Sequence, residues 1–490
     1  MQPSFSGYNE HVSSISAPRS YLLIVLVGLL AACLGLAPQP HAARQALEAA
    51  RQALEVGASA AAAARLERAA AYFPWRADLW AEAGRSALAA GDLAAASAHL
   101  ERAAALGGIS EADLLTLADA QQAAGNQEAA SALWDQLLQS GSLSAEVYAR
   151  RAALAYAQEQ YLAAAADLQA LVLLRPADTA SLYRLGLIMA ALEPNTAQVY
   201  LTQVAAGDFS QASFAQDLSR RISTARLFDE PAYTFMVTGQ ALASQAEWGL
   251  ALQAFLQATQ IRPDYAEAWA YLGEARQRQP AGSPQAGSGL DEMRQSLALD
   301  PDCLAAHIFL GLYYERRGDY PQALSWVQAA AALDPGNPDL QVGMGDLLAL
   351  QGELPEAQAA YEQAIALAPQ NAAYPIALAQ FALEQQIQVR TLALPAARQA
   401  VLLAPQDPAA LDVMGHTLVL LGDFFNAERF LQRALQNDPN YAPAHLHLGA
   451  AYLFMEQPAL ARAHLDLARA LDPNGPTARD AQRLLTYYFP

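Results

Sequence analysis

The sequence predicts an all-α fold, an α-solenoid of antiparallel helix hairpins. Three observations carry that prediction. Prolines recur at Pro263, Pro301, Pro335, Pro369, Pro405, Pro439 and Pro473, at intervals of 34 to 38 residues. Glycines recur at a matching offset before them, at Gly239, Gly273, Gly311, Gly345, Gly415 and Gly449. Hydrophobic residues make up 54% of the chain, much of that alanine, the residue that loses least on entering a helix. Self-similarity at a fixed period marks units that stack on their neighbours, so 490 residues do not demand several globular cores.

Taken from the N-terminus, residues 1–20 form a short tail and residues 21–37 an apolar stretch, YLLIVLVGLLAACLGLA, without a charge. As a helix these seventeen residues would span about 26 Å, against a bilayer core of about 30 Å. The segment is therefore expected to be a transmembrane anchor or signal helix. Leu30-Ala31-Ala32-Cys33 resembles a bacterial lipobox, which makes Cys33 the candidate lipid-attachment residue. An uncleaved anchor and a lipoprotein signal both remain open. Both put the repeats outside the cytoplasm, on a single N-terminal anchor at a bacterial cell membrane or envelope.

The repeat itself has a physical logic. Proline cannot continue a helix, so turns such as Asp334-Pro335-Gly336-Asn337 and Asp438-Pro439-Asn440 end one helix, and their acidic or amide residues can cap the next. Proline in Asp319-Tyr320-Pro321 and Glu353-Leu354-Pro355 falls in a first helical turn, where a missing N–H costs little. Small residues within each unit let two helices approach closely. Leu310-Gly311, Tyr314, Gly318, Ala323, Ala330 and Pro335 set the pattern in 304–337, and Leu448-Gly449, Tyr452, Ala461, Leu465, Ala468 and Pro473 repeat it in 442–475.

These residues resemble the tetratricopeptide repeat, a 34-residue helical hairpin. Twelve units can be registered. Residues 43–212 hold about five degenerate repeats, 213–231 a linking helix outside the pattern, 232–475 about seven repeats, and 476–490 a capping helix. Insertions interrupt the second block at Gln279 to Gly289 and near Gln385 to Thr391. The resemblance implies a right-handed superhelix with a groove lined by the first helix of each unit. Carried over by position, its C-terminal half is apolar: Ile308, Phe309, Leu312, Val342, Val413, Val419, Leu420, Leu446, Leu453 and Phe454. Its N-terminal half is charged, with Arg44, Glu48, Arg51, Glu82, Arg85, Arg150 and Arg184.

Composition removes several function classes. The net charge is −19, and all 29 basic residues are arginine. Without lysine there is no Walker A phosphate grip, no Schiff base and none of the lysines with which some tetratricopeptide proteins clamp a partner's C-terminus. An acidic chain with no basic stripe is not expected to bind nucleic acid. His416, His445, His447 and His464 cluster in sequence, but no ligand-motif spacing accompanies them, so neither metal nor cofactor is expected. Cys303 reads as an ordinary lone thiol. No acid–base pair can be nominated, so the chain is not expected to be an enzyme. The expectation is a membrane-anchored scaffold that binds protein partners in its groove. Envelope assembly or export (pilus, outer membrane or polysaccharide) is an alternative. Carbohydrate binding or enzymatic activity through Tyr183, Tyr233 and Tyr271 is the competing class.

Overall fold

The structure, a computed structural model, describes residues 41–107, 109–141, 144–207 and 210–490. Among the described residues there are 26 α-helices and no strand, arranged as an all-helical solenoid. The apolar segment 21–37, and Cys33 with it, lies outside the described residues. Among those described, no helix is long and apolar enough to cross a membrane.

The chain divides into two compact units, Met1–Ser181 and Leu182–Pro490. The first contains the hairpins α1 (His41–Glu55) with α2 (Ser59–Tyr72) and α3 (Ala77–Ala89) with α4 (Leu93–Ala105). It continues with α5 (Glu111–Ala123) and α6 (Gln127–Ser140), then α7 (Ser144–Ala157) and α8 (Tyr161–Leu174). Trp134, Leu137 and Leu100 fill its interior. Its hairpins are also tied by ion pairs between successive first helices, Arg85 with Asp113 and, at 2.6 Å, Arg150 with Asp119.

The division falls within α9 (Thr179–Leu192), which pairs with α10 (Pro194–Ala205). The break in repeat register lies further on, inside the second unit. There α11 (Ala212–Arg226) packs between α10 and α12 (Pro231–Ser244) through buried Ala215, Leu218 and Ile222. The hairpins that follow are α12 with α13 (Trp248–Ile261), α14 (Ala266–Gln277) with α15 (Leu290–Leu299), and α16 (Leu304–Arg316) with α17 (Tyr320–Leu333). Next come α18 (Pro338–Gln351) with α19 (Leu354–Leu367), and α20 (Ala373–Glu384) with α21 (Leu394–Leu403). The last are α22 (Pro408–Leu420) with α23 (Phe424–Asn437) and α24 (Ala442–Phe454) with α25 (Pro458–Leu471), followed by a single helix, α26 (Pro476–Tyr488).

Turn chemistry and close packing account for this regularity. Asn337 and Asp407 accept hydrogen bonds from Asp339 N and Ala409 N, each capping a helix whose first residue is proline. Asp319 and Asp423 do the same for α17 and α23. Within hairpins, a glycine of the first helix meets a large side chain sixteen residues later. Gly84 meets Leu100, Gly239 meets Phe255, Gly345 meets Tyr361 and Gly415 meets Leu431, at distances that would leave a Cβ 2.5 to 2.9 Å from the facing side chain. One continuous core runs through α19 to α25, with Phe381, Leu411, Leu431 and Leu448 among its buried residues.

The insertions are absorbed locally. Residues 279–289 lengthen the turn between α14 and α15, mostly exposed but tied at a few points to α14 and to α13 of the preceding hairpin. Gln279 is buried and donates to the Ala275 carbonyl at 2.9 Å, Gly287 N donates to the Arg276 carbonyl, and Gln253 donates to Gln285 at 3.0 Å. Gly289 then enters α15 at φ +67°, so close to Gly273 that a Cβ would strike the Gly273 carbonyl. Near the third irregularity Gln386 and Gln388 have positive φ, and Val389–Ala393 forms one π-helical turn. That wider turn takes up extra chain without unwinding the helix.

Candidate partner-binding face

The first helices of α14 through α24 present the predicted groove positions, and two open cavities lie between successive pairs of them. The larger, about 710 Å³, lies between α14 and α16 and is lined by Glu267, Tyr271, Ile308 and Phe309 together with the two turns that precede these helices. Tyr271 and Phe309 meet edge to face at 4.8 Å, forming a common aromatic wall. The smaller, about 370 Å³, lies between α18 and α20 and is lined by Val342, Asp346, Leu350, Phe381 and Glu384.

The predicted apolar residues do not share one fate. Ile308 and Phe309 line the larger cavity and Val342 the smaller, while Leu312 is partly buried. Val413 and Val419 are only 2% and 7% exposed, inside the core, and offer no surface to a partner. Their helix, α22, sits under both neighbours, so groove positions inferred from register become interior there. Leu446 and Leu453 pack partly against a cluster formed by α25 and α26. Leu420 and Phe454 remain open, at 45% and 59%, and Phe454 stacks on Phe424 at 5.1 Å.

Charge is the feature that the apolar reading of this face missed. Glu274, 3% exposed, accepts from Arg278 at 2.8 Å and from Arg316 at 2.6 and 3.0 Å. Arg278 and Arg316 are thereby committed to one carboxylate. Four further carboxylates, Glu267, Glu315, Asp346 and Glu384, have no ion-pair partner among the described residues. Burial raises the pKa of each, and the Asp346 charge adds to the shift of Glu315 and Glu384. Asp346 stays open to water in the cavity wall and accepts from the Tyr361 hydroxyl, which lowers its pKa against the burial. The signal was present in the sequence: these acids occupy the same register positions that nominated the apolar residues.

The histidines form two separate pairs. His416 stacks on His447 at 3.9 Å, and His447 Nδ1 lies 2.8 Å from Asp412 Oδ1, a carboxylate that sequence reading did not assign to it. His445 faces the other way, 2.9 Å from His464. Among the described residues no three His, Cys, Asp or Glu side chains converge to hold a metal ion. Cys303 is buried and free. Tyr271 and Tyr233 line different cavities, the second beside Arg220 and Arg221 of α11.

Hairpins in this register, with a face of first helices, define a helical-repeat protein. Tetratricopeptide repeat family models match residues 315–381 and 418–485, and a second such model matches 287–338. The chain carries tetratricopeptide repeats. It is similar in structure to Cut9 in the Cut9–Hcn1 hetero-tetramer of the APC/C, at 17% identity over 92% of this chain and 97% of that one, with a TM-score of 0.40. It is similar to yeast Tom70 at 15% identity over 91% and 94%, with a TM-score of 0.42. YrrB, a TPR protein with an unusual peptide-binding site, matches at 21% identity over 39% and 97%, with a TM-score of 0.29. No curated protein matches the chain.

Proposed function

We propose that this protein is an interaction scaffold that holds an apolar helix or extended segment of a partner protein against the first helices between residues 304 and 454. The observation that carries this reading is the pair of open cavities between successive first helices, with Leu420 and Phe454 exposed further along the repeats. Contiguous exposed apolar area rimmed by polar groups is the usual mark of a partner site. The scaffold is held at a bacterial cell membrane or envelope by residues 21–37, as an uncleaved helix or through lipid on Cys33, with the repeats on the extracytoplasmic side. The charge-free composition of that segment supports this part of the reading.

Three experiments test it. Crosslinking in the native cells should yield defined partner proteins with the wild-type chain and lose them with Phe309→Glu and Phe454→Glu. Folded variants that capture the same partners as wild type would put the site elsewhere. Recovery of the chain in the soluble fraction would remove the anchor. Palmitate labelling that persists in Cys33→Ala would remove the lipid in favour of the helix.

A further inference from the structure

We infer that the partner segment carries a basic side chain, arginine or lysine, which enters the cavity between α14 and α16 and pairs with Glu267 against the Tyr271–Phe309 wall. The inference rests on the scaffold reading above and gives it a chemical specificity.

The cavity, about 710 Å³, has room for a long side chain together with neighbouring partner residues. Its charge is one-sided: Asp264, Glu267, Asp300 and Asp302 line it, with Arg262 as its single cation. Arg262 is already engaged, lying 3.5 Å over the Tyr265 ring and paired with Glu230. The N-termini of α14 and α16 open toward the same space, and a helix N-terminus favours negative charge. Asp264 and Asp302, just ahead of those helices, supply that charge. Glu267, in the first turn of α14, also feels the N-terminus and the Arg262 charge, but it forms no ion pair among the described residues. It is partly buried beside Tyr271, and among the described residues its side chain accepts one long hydrogen bond, 3.4 Å from Gln240.

An occupant must meet these groups together. An anion would face four carboxylates and a cation already spent elsewhere. An apolar side chain would take Glu267 further from water and return no hydrogen bond, which is costly for a charged group. A guanidinium or ammonium satisfies the carboxylate and is also attracted to aromatic faces, more strongly where water is excluded. The cavity between α18 and α20 repeats the combination, with Asp346 and Glu384 beside Phe381. The same chemistry thus recurs along one face of a chain whose net charge is −19.

The test is selection of random peptides displayed on phage against the full chain in detergent, in wild-type, Glu267→Gln and Glu267→Asp forms. Wild type and Glu267→Asp should enrich peptides with arginine or lysine next to apolar residues, and Glu267→Gln should lose that basic preference. A selected peptide should bind Glu267→Gln roughly tenfold more weakly, as expected for a lost charge-assisted hydrogen bond. Its Arg→citrulline analogue should show the same loss on wild type and little further loss on the variant. Peptides selected without basic residues would overturn the inference and leave the scaffold reading standing. Basic peptides that bind Glu267→Gln unchanged would also overturn it. Selection of no peptide at all would count against the scaffold reading itself.

Discussion

Arg316 spans Glu274 with two nitrogens, Nη2 2.6 Å from Oε1 and Nη1 3.0 Å from Oε2, and so ties α16 to α14 across the hairpin partner α15. A two-pronged guanidinium–carboxylate contact fixes geometry as well as adding energy. It joins the two helices that form the larger cavity.

Removing Arg316 should therefore loosen that cavity. Arg316→Ala leaves the 4%-exposed Glu274 side chain with Arg278 alone. Breaking a buried pair costs about 3–5 kcal/mol; with a third of Arg316 in water, about 2 kcal/mol is expected. Hydrogen exchange should show lost protection in α14 and α16 and little change in α24. Arg316→Lys should recover part of the loss, since an ammonium cannot make the two-pronged contact.

The Gly415–Leu431 contact gives a second test. An added Cβ at Gly415 would lie 2.5 Å from Leu431 Cγ. Gly415→Ala should destabilise the second unit by about 1–3 kcal/mol through overpacking. Leu431→Ala, at a fully buried position, should cost about 2–5 kcal/mol through the cavity it leaves. The double variant should cost less than the sum of the two, because the new methyl fills part of that cavity. Urea unfolding of the four proteins measures the coupling.

Such contacts explain why the fold was legible in the sequence and the binding face only partly so. A glycine, a bulky residue sixteen positions on and a closing proline are local and periodic, so a single chain displays them. The fate of Val413 and Val419 depends on how helices on both sides cover α22, which no repeat position encodes. The groove acids were visible as residues, and Glu274 and Arg278 stand four apart as a local pair, but the partial burial of Glu267 and Glu315 and the commitment of Arg316 to Glu274 are tertiary facts. Gln386, Gln388 and the π-helical turn likewise reflect packing around additional residues rather than any local signal.

Two left-handed glycines should respond differently to the same change. Gly318, at φ +75°, has nothing within 4 Å of an added Cβ, so Gly318→Ala should cost only the backbone strain, about 1 kcal/mol. Gly289, at φ +67°, would in addition drive its Cβ into the Gly273 backbone. Gly289→Ala should therefore lower the thermal midpoint clearly more than Gly318→Ala. Equal midpoints would mean that the α14–α15 contact is looser than its geometry implies.

The two histidine pairs make stability depend on pH with a definite sign. Burial holds the His416 pKa well below its ordinary value, and neighbouring His447 lowers it further. His464 is lowered in the same way by burial and by His445. The unfolded chain titrates near 6.5, so above that pH both states are neutral and full stability is present. As pH falls below 6.5 the unfolded chain takes up protons that the folded chain refuses, and stability is lost. Glu267, Glu315, Asp346 and Glu384, all raised, act with the opposite sign but only nearer the carboxylate range. The thermal midpoint of the second unit should thus fall between about pH 7 and pH 5.5. His416→Leu should flatten that fall and His416→Leu/His464→Leu should nearly abolish it. A slope unchanged in the double variant would place its origin in other groups.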